Sequence, residues 1–343
     1  MPSYTSNSDT RMRAGNLWKT WLYAIFIIIV ALGSWELFWR YQGFCASVED
    51  DMNIWHLQRS KISEKTKIVF MGSSRIQLGL HPDVFIEQIG IPPVNLSIDG
   101  NPPFAVLKDL ANDKGFSGVV FCSIIPRWLA EKSPEKNRAS KWVRKYHKRT
   151  LLSKMDTFLS ILIQNTFVFR YPGLSPEKLK KQLKKGKWPV PSYSPMRSDR
   201  FREAMFTDQN TPKILASRIK REKEISQQSI IISSGEFTER IQNLKEDVKK
   251  IRQRGGAVIF IRMPSSGKVR EIEAATWPKA RYWDVFADMI SEPTIHFEDF
   301  MELRRFNCPD GSHLDVADAE KFTRQLLKIL PLISSFLNRH SVF

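Results

Sequence analysis

Five short apolar runs, rich in β-branched residues, occur along the chain between longer segments with the spacing of amphipathic helices. Continuous runs of this kind, without strict alternation, are typical of strands covered on both faces. The runs occupy residues 67–72, 94–98, 118–124, 257–263 and 294–297. Helical patterns occupy residues 82–89, 103–112, 236–254 and 318–330. This alternation predicts an α/β fold with a parallel, doubly wound sheet.

One long segment, residues 127–223, interrupts the alternation. It has a helical pattern over residues 140–164 and is broken elsewhere by prolines. An unstructured loop of that length is unusual inside a compact domain. We therefore expect a largely helical insertion that caps one edge of the sheet, with the sheet domain formed by residues 67–126 and 224–343.

The N-terminal region has a different pattern, because residues 21–39 are apolar except for Glu36. A helix of that length spans about 28 Å, close to the hydrocarbon thickness of a bilayer. Tryptophans mark both ends of the run, where they favour the membrane interface. The sequence thus predicts a transmembrane anchor at 17–40, between a tail at 1–16 and a linker at 41–66.

Basic residues indicate the orientation of this anchor. Arg11, Arg13 and Lys19 precede the span, which predicts a cytoplasmic N-terminus and a periplasmic or extracellular domain. A cleaved signal peptide, with a small-residue site at Ala31-Leu32-Gly33, is the alternative. The apolar run continues through Trp39, which favours the retained span.

Composition and charge restrict the class of protein. The chain has 343 residues, 42% of them hydrophobic, and three cysteines, which excludes a disordered chain and a disulfide-stapled miniprotein. The net charge is +17, and residues 127–223 alone hold 25 Lys and Arg against 8 Asp and Glu. That basic block indicates an anionic polymer or anionic lipid head groups as partner. A solvated basic helix remains an alternative, and the predicted export argues against nucleic acid.

Candidate chemistry follows the first strand and precedes the last helix. The carboxyl ends of parallel strands meet in one crevice, so Ser74 and the pair Asp310 and His313 are expected to converge there. A serine needs a base to become a nucleophile, and the base needs an orienting carboxylate. We assign Ser74 rather than Ser73, because the spacing Gly72-x-Ser74 suits a tight strand-to-helix turn. Alternatively, Ser74 caps a helix and His313 is a surface histidine.

These motifs resemble the SGNH (GDSL-type) hydrolase superfamily, in particular single-span envelope proteins with a Gly-Ser-Ser-Arg block. The first block matches at Gly72 and Ser74, the second over residues 95–101 and the last over residues 310–313. The resemblance implies a flavodoxin-like, five-stranded sheet in a three-layer α/β/α arrangement. It also implies Ser74 as nucleophile, His313 as base, Asp310 as its orienter and the Gly100 amide as an oxyanion donor.

One block departs from the superfamily pattern. After the third strand the superfamily has Gly-x-Asn, whose Asn donates to the oxyanion, whereas this chain reads Cys122-Ser-Ile-Ile-Pro126. Asn101 is a candidate substitute for that donor. Arg75 is a candidate contact for an acidic substrate group, with pairing to a neighbouring carboxylate as the alternative.

We therefore expect a membrane-anchored serine esterase or O-acyltransferase that forms an acyl-Ser74 intermediate on a cell-envelope or exported polysaccharide or a glycolipid. A membrane protein that donates the acyl group is a further partner of such a transferase. The alternative is a catalytically impaired SGNH-fold protein that binds glycan or assists polymer assembly. No cofactor and no metal are expected, since no Cys or His spacing suggests a metal site.

Overall fold

The computed structural model of the chain describes residues 17–63, 65–132, 137–207 and 210–333. The predicted tail 1–16, including Arg11 and Arg13, lies outside this part of the chain. The strands are β1 (Ile68–Met71), β2 (Val94–Asn95), β3 (Val119–Ser123), β4 (Ala257–Arg262) and β5 (Thr294–His296). The helices are α1 (Leu17–Tyr41), α2 (Met52–Ser60), α3 (Ser74–Gly79), α4 (Pro82–Ile89), α5 (Phe104–Ala111), α6 (Pro126–Ala130), α7 (Arg138–Tyr146), α8 (Leu151–Thr166), α9 (Pro176–Leu183), α10 (Thr211–Gln228), α11 (Ser234–Gln253), α12 (Gly267–Thr276), α13 (Lys279–Ile290), α14 (Met301–Arg304) and α15 (Val316–Ile333).

The five strands form one parallel sheet in the order β2-β1-β3-β4-β5. This is one of the two common orders of doubly wound sheets, and it places a switch in strand order between β1 and β3. The predicted α/β class and all five predicted strands are confirmed. Ligands of such sheets bind beyond the carboxyl ends of the strands at this switch.

Helices cover both faces of the sheet. Alternate strand residues point to opposite sides, so Val69 and Val120 join one apolar cluster while Phe70 and Phe121 join the other. Helices α5, α11 and α13 contribute to the first cluster, and α4 and α15 to the second. Burial on both faces explains why the strands read as continuous apolar runs.

The chain divides into two compact units. The anchor unit contains the chain up to Cys45 and Phe167–Pro191, and the sheet unit contains Ala46–Thr166 and Ser192–Phe343. The segment predicted as one basic insertion, 127–223, is therefore shared between the units. Residues 167–191 belong with the apolar helix, and the flanking parts belong with the sheet.

Helix α1 is the only helix within the described residues that is long and apolar enough to cross a membrane, over Trp18–Tyr41. At its C-terminal end, Glu36 accepts hydrogen bonds from the backbone N–H groups of Val168 at 2.9 Å and Phe169 at 2.8 Å. Trp39 is buried in a small cluster that includes Phe44 and Leu174. The anchor unit thus ties residues 167–191 to the end of this helix.

Candidate active site

Ser74 stands at the first turn of α3, directly after the end of β1. Gly72 makes the turn with φ +147°, and a Cβ at this position would lie 2.8 Å from Ser123 Cβ and 3.0 Å from Ser123 O. Only glycine fits such a close approach between β1 and β3. Ser73 is the residue before the helix, and it makes no side-chain capping bond. Ser74 is therefore not the helix cap.

Asp310 and His313 lie in the turn that precedes α15. The Asp310 Oδ1 atom accepts hydrogen bonds from the backbone N–H groups of Ser312 at 2.9 Å and His313 at 2.7 Å. Gly311 has φ +81°, and a Cβ there would collide with Val269. The hydrogen bonds of this turn therefore hold the Asp310 carboxylate next to the imidazole of His313.

The three predicted residues form a continuous hydrogen-bonded chain. His313 Nε2 lies 2.9 Å from Ser74 Oγ, and His313 Nδ1 lies 2.8 Å from Asp310 Oδ2. Since a carboxylate only accepts, Nδ1 carries the proton and Nε2 is left to accept the proton of Ser74. Asp310 is fully buried, and His313 and Ser74 are almost so. The arrangement has the connectivity of a serine nucleophile with its base and orienting acid.

The electrostatics of this chain favour a neutral imidazole and a charged carboxylate. Burial lowers the pKa of His313, and the hydrogen bond and charge of Asp310 offset only part of that effect. Burial alone would raise the pKa of Asp310, but the hydrogen bond and charge of His313 and the charge of Arg218 hold it well below its usual range. The direction of this shift favours the deprotonated imidazole, the form that a general base requires.

The loop after β2 brings Gly100 and Asn101 to the same region. Gly100 has φ +65°, and its N–H has no hydrogen-bond acceptor among the described residues. The Asn101 side chain donates to Asp99 O at 2.9 Å and accepts from the Ala139 N–H at 3.3 Å. Asn101 therefore holds the loop in place, and its service as an oxyanion donor stays a prediction.

Asp99, which precedes Gly100, adds a carboxylate beside Ser74. Burial alone would raise its pKa, but the charge of Arg202, the nearby Ser74 hydroxyl and the charges of His313 and Arg138 lower it. Arg202 lies 3.8 Å from the Asp99 carboxylate, and Arg138 donates to Asp99 O. The two arginines compensate a negative charge that would otherwise oppose an oxyanion next to Ser74.

Helix α10 supplies two arginines that the sequence motifs did not indicate. Arg218 Nη2 lies 3.3 Å from both Asp310 Oδ2 and His313 Nδ1, and it donates to the carboxylate because Nδ1 carries a proton. Arg221, one turn further on, has Nη2 3.8 Å from the point where a Cβ on Gly100 would lie. Arg221 is exposed and makes no ion pair among the described residues. Their position in the predicted basic insertion was the only signal for this pair.

Arg75 points away from this group of residues into the protein interior. It is 7% exposed and pairs with Glu273, which also accepts from Arg262 at 2.6 Å and Ser265 Oγ at 2.8 Å. Burial alone would raise the Glu273 pKa, but the charges of Arg75 and Arg262 lower it to about 2. Arg75 was predicted either to contact the substrate or to pair with a neighbouring carboxylate, and in the structure it pairs with the carboxylate of Glu273.

The end of β3, where the superfamily has its donor asparagine, offers no amide side chain. Ser123 is buried, and its hydroxyl has no hydrogen-bond partner among the described residues. The next residue, Ile124, donates its N–H to Ile261 O at 3.0 Å, and Pro126 begins α6. Elsewhere in the described residues, no group of three or more His, Cys, Asp or Glu side chains is placed to hold a metal ion.

The chain matches no family model, and no curated protein is similar to it in sequence. Support for a function therefore comes from the geometry of the site and from the resemblance of its short motifs.

Proposed function

We propose that this protein is a membrane-anchored serine esterase or O-acyltransferase of the SGNH type, with an acyl-Ser74 intermediate. The observation that carries the proposal is the chain of hydrogen bonds from Ser74 Oγ through His313 to Asp310. These residues come from a turn after the first strand and a turn before the last helix, as the SGNH resemblance implies. The strand order and the two covered sheet faces also support this assignment.

In the first half of the reaction, Ser74 Oγ attacks the carbonyl carbon of an ester while His313 Nε2 takes the hydroxyl proton. Asp310 stabilises the resulting imidazolium through Nδ1. When the tetrahedral intermediate collapses, the bond to the leaving alcohol breaks and His313 returns the proton to that alcohol. The acyl group remains bound to Ser74.

In the second half, the hydroxyl of a sugar or of water attacks the acyl-Ser74 carbonyl, and His313 takes its proton. Collapse of this intermediate releases the new ester, or a free acid, and returns the proton to Ser74. The same residues serve both outcomes. Access of the acceptor hydroxyl decides between transfer and hydrolysis.

The developing oxyanion needs donors close to Ser74. Within the described residues the Gly100 N–H has no acceptor, and Arg221 Nη2 lies 3.8 Å from the point where a Cβ on Gly100 would lie. A cationic donor here is a candidate replacement for the missing asparagine, since loss of one such donor typically costs about 100-fold or more in rate.

Charge around the site favours an anionic substrate or acceptor. Arg138, Arg202, Arg218 and Arg221 all come from the predicted basic insertion and all lie close to the site residues. Clefts lined by one sign of charge concentrate oppositely charged ligands. We therefore propose an anionic envelope polysaccharide or glycolipid as acceptor, reached from an anchor with its N-terminus in the cytoplasm.

The test is covalent trapping of the full-length protein with a fluorophosphonate, followed by mass spectrometry of the adduct. We expect the label on Ser74, and we expect Ser74→Ala, His313→Ala and Asp310→Ala to abolish ester turnover. Because the three residues act as one unit, double variants should be scarcely worse than the most damaging single variant.

Ser73→Ala is the matched control, since its side chain makes no capping bond. It should retain labelling and turnover. If Ser73→Ala were inactive and Ser74→Ala active, the nucleophile would be misassigned by one residue. Equal turnover in all folded variants, or no label on Ser74, would favour a glycan-binding protein without catalysis.

A further inference from the structure

Helix α8, in the sheet unit, has a stripe of large apolar side chains that faces away from the protein. We call Leu152, Met155, Leu159, Leu162 and Ile163 the α8 stripe; their exposed fractions run from 38% to 77%. Their spacing of three and four residues places them along one face of the helix. Contiguous apolar patches of this kind on soluble proteins usually mark an interaction site.

The opposite face of α8 makes the packing contacts. Thr157 is 2% exposed and Ile161 is 7% exposed, and Ile161 clusters with Val48 and Ile54 of the sheet unit. Helix α8 therefore packs on the rest of the sheet unit through the face that contains Thr157 and Ile161. The α8 stripe is not needed to attach α8 to the protein.

The chain leads directly from α8 into the segment of the anchor unit that is bonded to the apolar helix α1. Thr166 is the last residue of α8, and Val168, two residues later, donates its N–H to Glu36 of α1. Two peptide units span at most about 8 Å. The intervening Phe167 is 42% exposed. The C-terminal end of α8 is thus tied to the last turns of the helix that is long enough to cross a membrane.

Basic and aromatic side chains accompany this junction in the anchor unit. Helix α9 has no buried residue, and the lysines of the segment that it begins are exposed: Lys178, Lys180, Lys181, Lys184, Lys185 and Lys187. Trp188, 56% exposed, stacks on Trp39 with 5.8 Å between ring centroids. Lysines near a membrane surface attract anionic head groups, and tryptophans favour the interface.

We propose that the α8 stripe lies in the interface of the bilayer that α1 crosses, as a second and non-spanning contact with lipid. Lipid is the occupant because α8 is joined within two residues to a segment bonded to α1, and because cations for anionic head groups lie in that same segment. Interfacial helices bury an apolar face to a depth of about 5–10 Å among head groups and acyl chains. The inference rests on the proposed membrane anchor and is independent of the proposed catalysis.

The test measures the lipid depth of single labels on the full-length protein. In a Cys45→Ser background, Leu159→Cys is labelled with bimane and reconstituted into vesicles of phosphatidylcholine and phosphatidylglycerol, with or without doxyl-labelled phosphatidylcholine. The remaining Cys122 and Cys308 are buried, and burial raises their thiol pKa values, so they should not react. Lys154→Cys, exposed on the same helix away from the stripe, is the matched control.

We expect doxyl quenching at Leu159 to exceed that at Lys154 by at least about twofold. Met301→Cys, at an exposed apolar residue of α14 in the same unit, should be quenched no more than Lys154. Equal and weak quenching at Leu159 and Lys154 would overturn the proposal, and would leave a protein partner as the cover of the stripe. Equal quenching at Leu159 and Met301 would also overturn it, because lipid would then show no preference for α8.

Discussion

The side chains around Ser74 are arranged so that one uncharged base faces one hydroxyl. His313 is 3% exposed, so its protonated form is poorly solvated, and the Asp310 carboxylate is bonded to its Nδ1. Arg218 lies 3.3 Å from both that carboxylate and the imidazole Nδ1, and its charge makes the protonated imidazole less favourable. The pKa of the base thus depends on a balance between Asp310, which raises it, and burial and arginine charge, which lower it.

Replacement of Arg218 should change this balance in a predictable direction. Arg218→Gln removes a cation that lowers the pKa of His313, so that pKa rises. Because the base acts when deprotonated, the acidic limb of the kcat/KM profile should move to higher pH. A loss of about tenfold in kcat/KM at neutral pH would correspond to about 1.4 kcal/mol of transition-state stabilisation.

Arg218→Lys keeps the charge and serves as the control, with an acidic limb closer to that of the wild type. Arg218 would be only a packing residue if both variants lost activity without any movement of that limb. The readout is the pH profile of ester hydrolysis by the full-length protein.

Among the elements, the turn between β1 and α3 decides where the nucleophile stands. The turn brings Gly72 against the backbone of β3, and α3 then begins at Ser74 with all six of its residues buried. Helix α10 contributes Arg218 and Arg221, which lie close to Asp310 and Gly100. Ser74, the proposed nucleophile, therefore follows directly on a strand of the sheet, while part of the surrounding charge comes from the predicted insertion.

Gly72→Ala should damage both stability and the position of Ser74. Its new Cβ would meet Ser123 Cβ at 2.8 Å and Ser123 O at 3.0 Å, with an unfavourable positive φ. Overpacking of this kind typically lowers the free energy of unfolding by about 1–3 kcal/mol. We expect a lower unfolding temperature and loss of fluorophosphonate labelling at Ser74.

Gly90→Ala separates the effect of backbone strain from the effect of a steric collision. Gly90 also has a positive φ, +76°, but nothing lies within 4 Å of its added Cβ. It should cost about 1–2 kcal/mol from backbone strain and leave Ser74 labelling unchanged. Labelling that survives in Gly72→Ala would mean that this turn does not determine the position of the nucleophile.

For the whole molecule, we predict that the sheet unit lies outside the cytoplasm. The expectation rests on the basic residues before the span and on the length of α1. A reporter enzyme that works only after export should be active when fused after Phe343, and a reporter confined to the cytoplasm should be inactive there. The reverse pattern would contradict both the proposed orientation of α1 and the proposed envelope substrate.

The lysines of the anchor unit allow a test of charge at the membrane surface. Reversal of Lys180, Lys181, Lys184 and Lys185 to Glu should abolish the extra lipid quenching at Leu159 that phosphatidylglycerol gives over pure phosphatidylcholine. Hydrolysis of a small neutral ester should be unchanged, because these lysines belong to the anchor unit. In the protein with its native lysines, added salt should reduce the extra quenching that phosphatidylglycerol causes, since salt screens charges over about 8 Å at physiological ionic strength.

Four exposed lysines of the sheet unit, Lys108, Lys249, Lys321 and Lys328, give a control with the same change of charge. When these four lysines are replaced by Glu, phosphatidylglycerol should still increase the lipid quenching at Leu159. The same loss in both sets would assign the effect to net charge rather than to the lysines beside α1.

The sequence alone predicted the α/β class, the five strands, the helices α4, α5, α11 and α15, and the residues now joined in one hydrogen-bonded chain. It could do so because strands buried on both faces are apolar throughout, and because parallel strands bring their carboxyl ends to one crevice. The apolar helix was predicted from the length and composition of one segment. These features are local, or follow from topology.

The tertiary structure decided which groups surround the predicted residues and how the basic segment is shared. Arg75 adjoins Ser74 in sequence yet pairs with Glu273, 198 residues away, while Arg218 reaches Asp310 across 92 residues. Residues 167–191 pack with α1 because Glu36 accepts their backbone N–H groups. The sequence around an arginine does not show which carboxylate it will contact, because that contact depends on packing between distant segments.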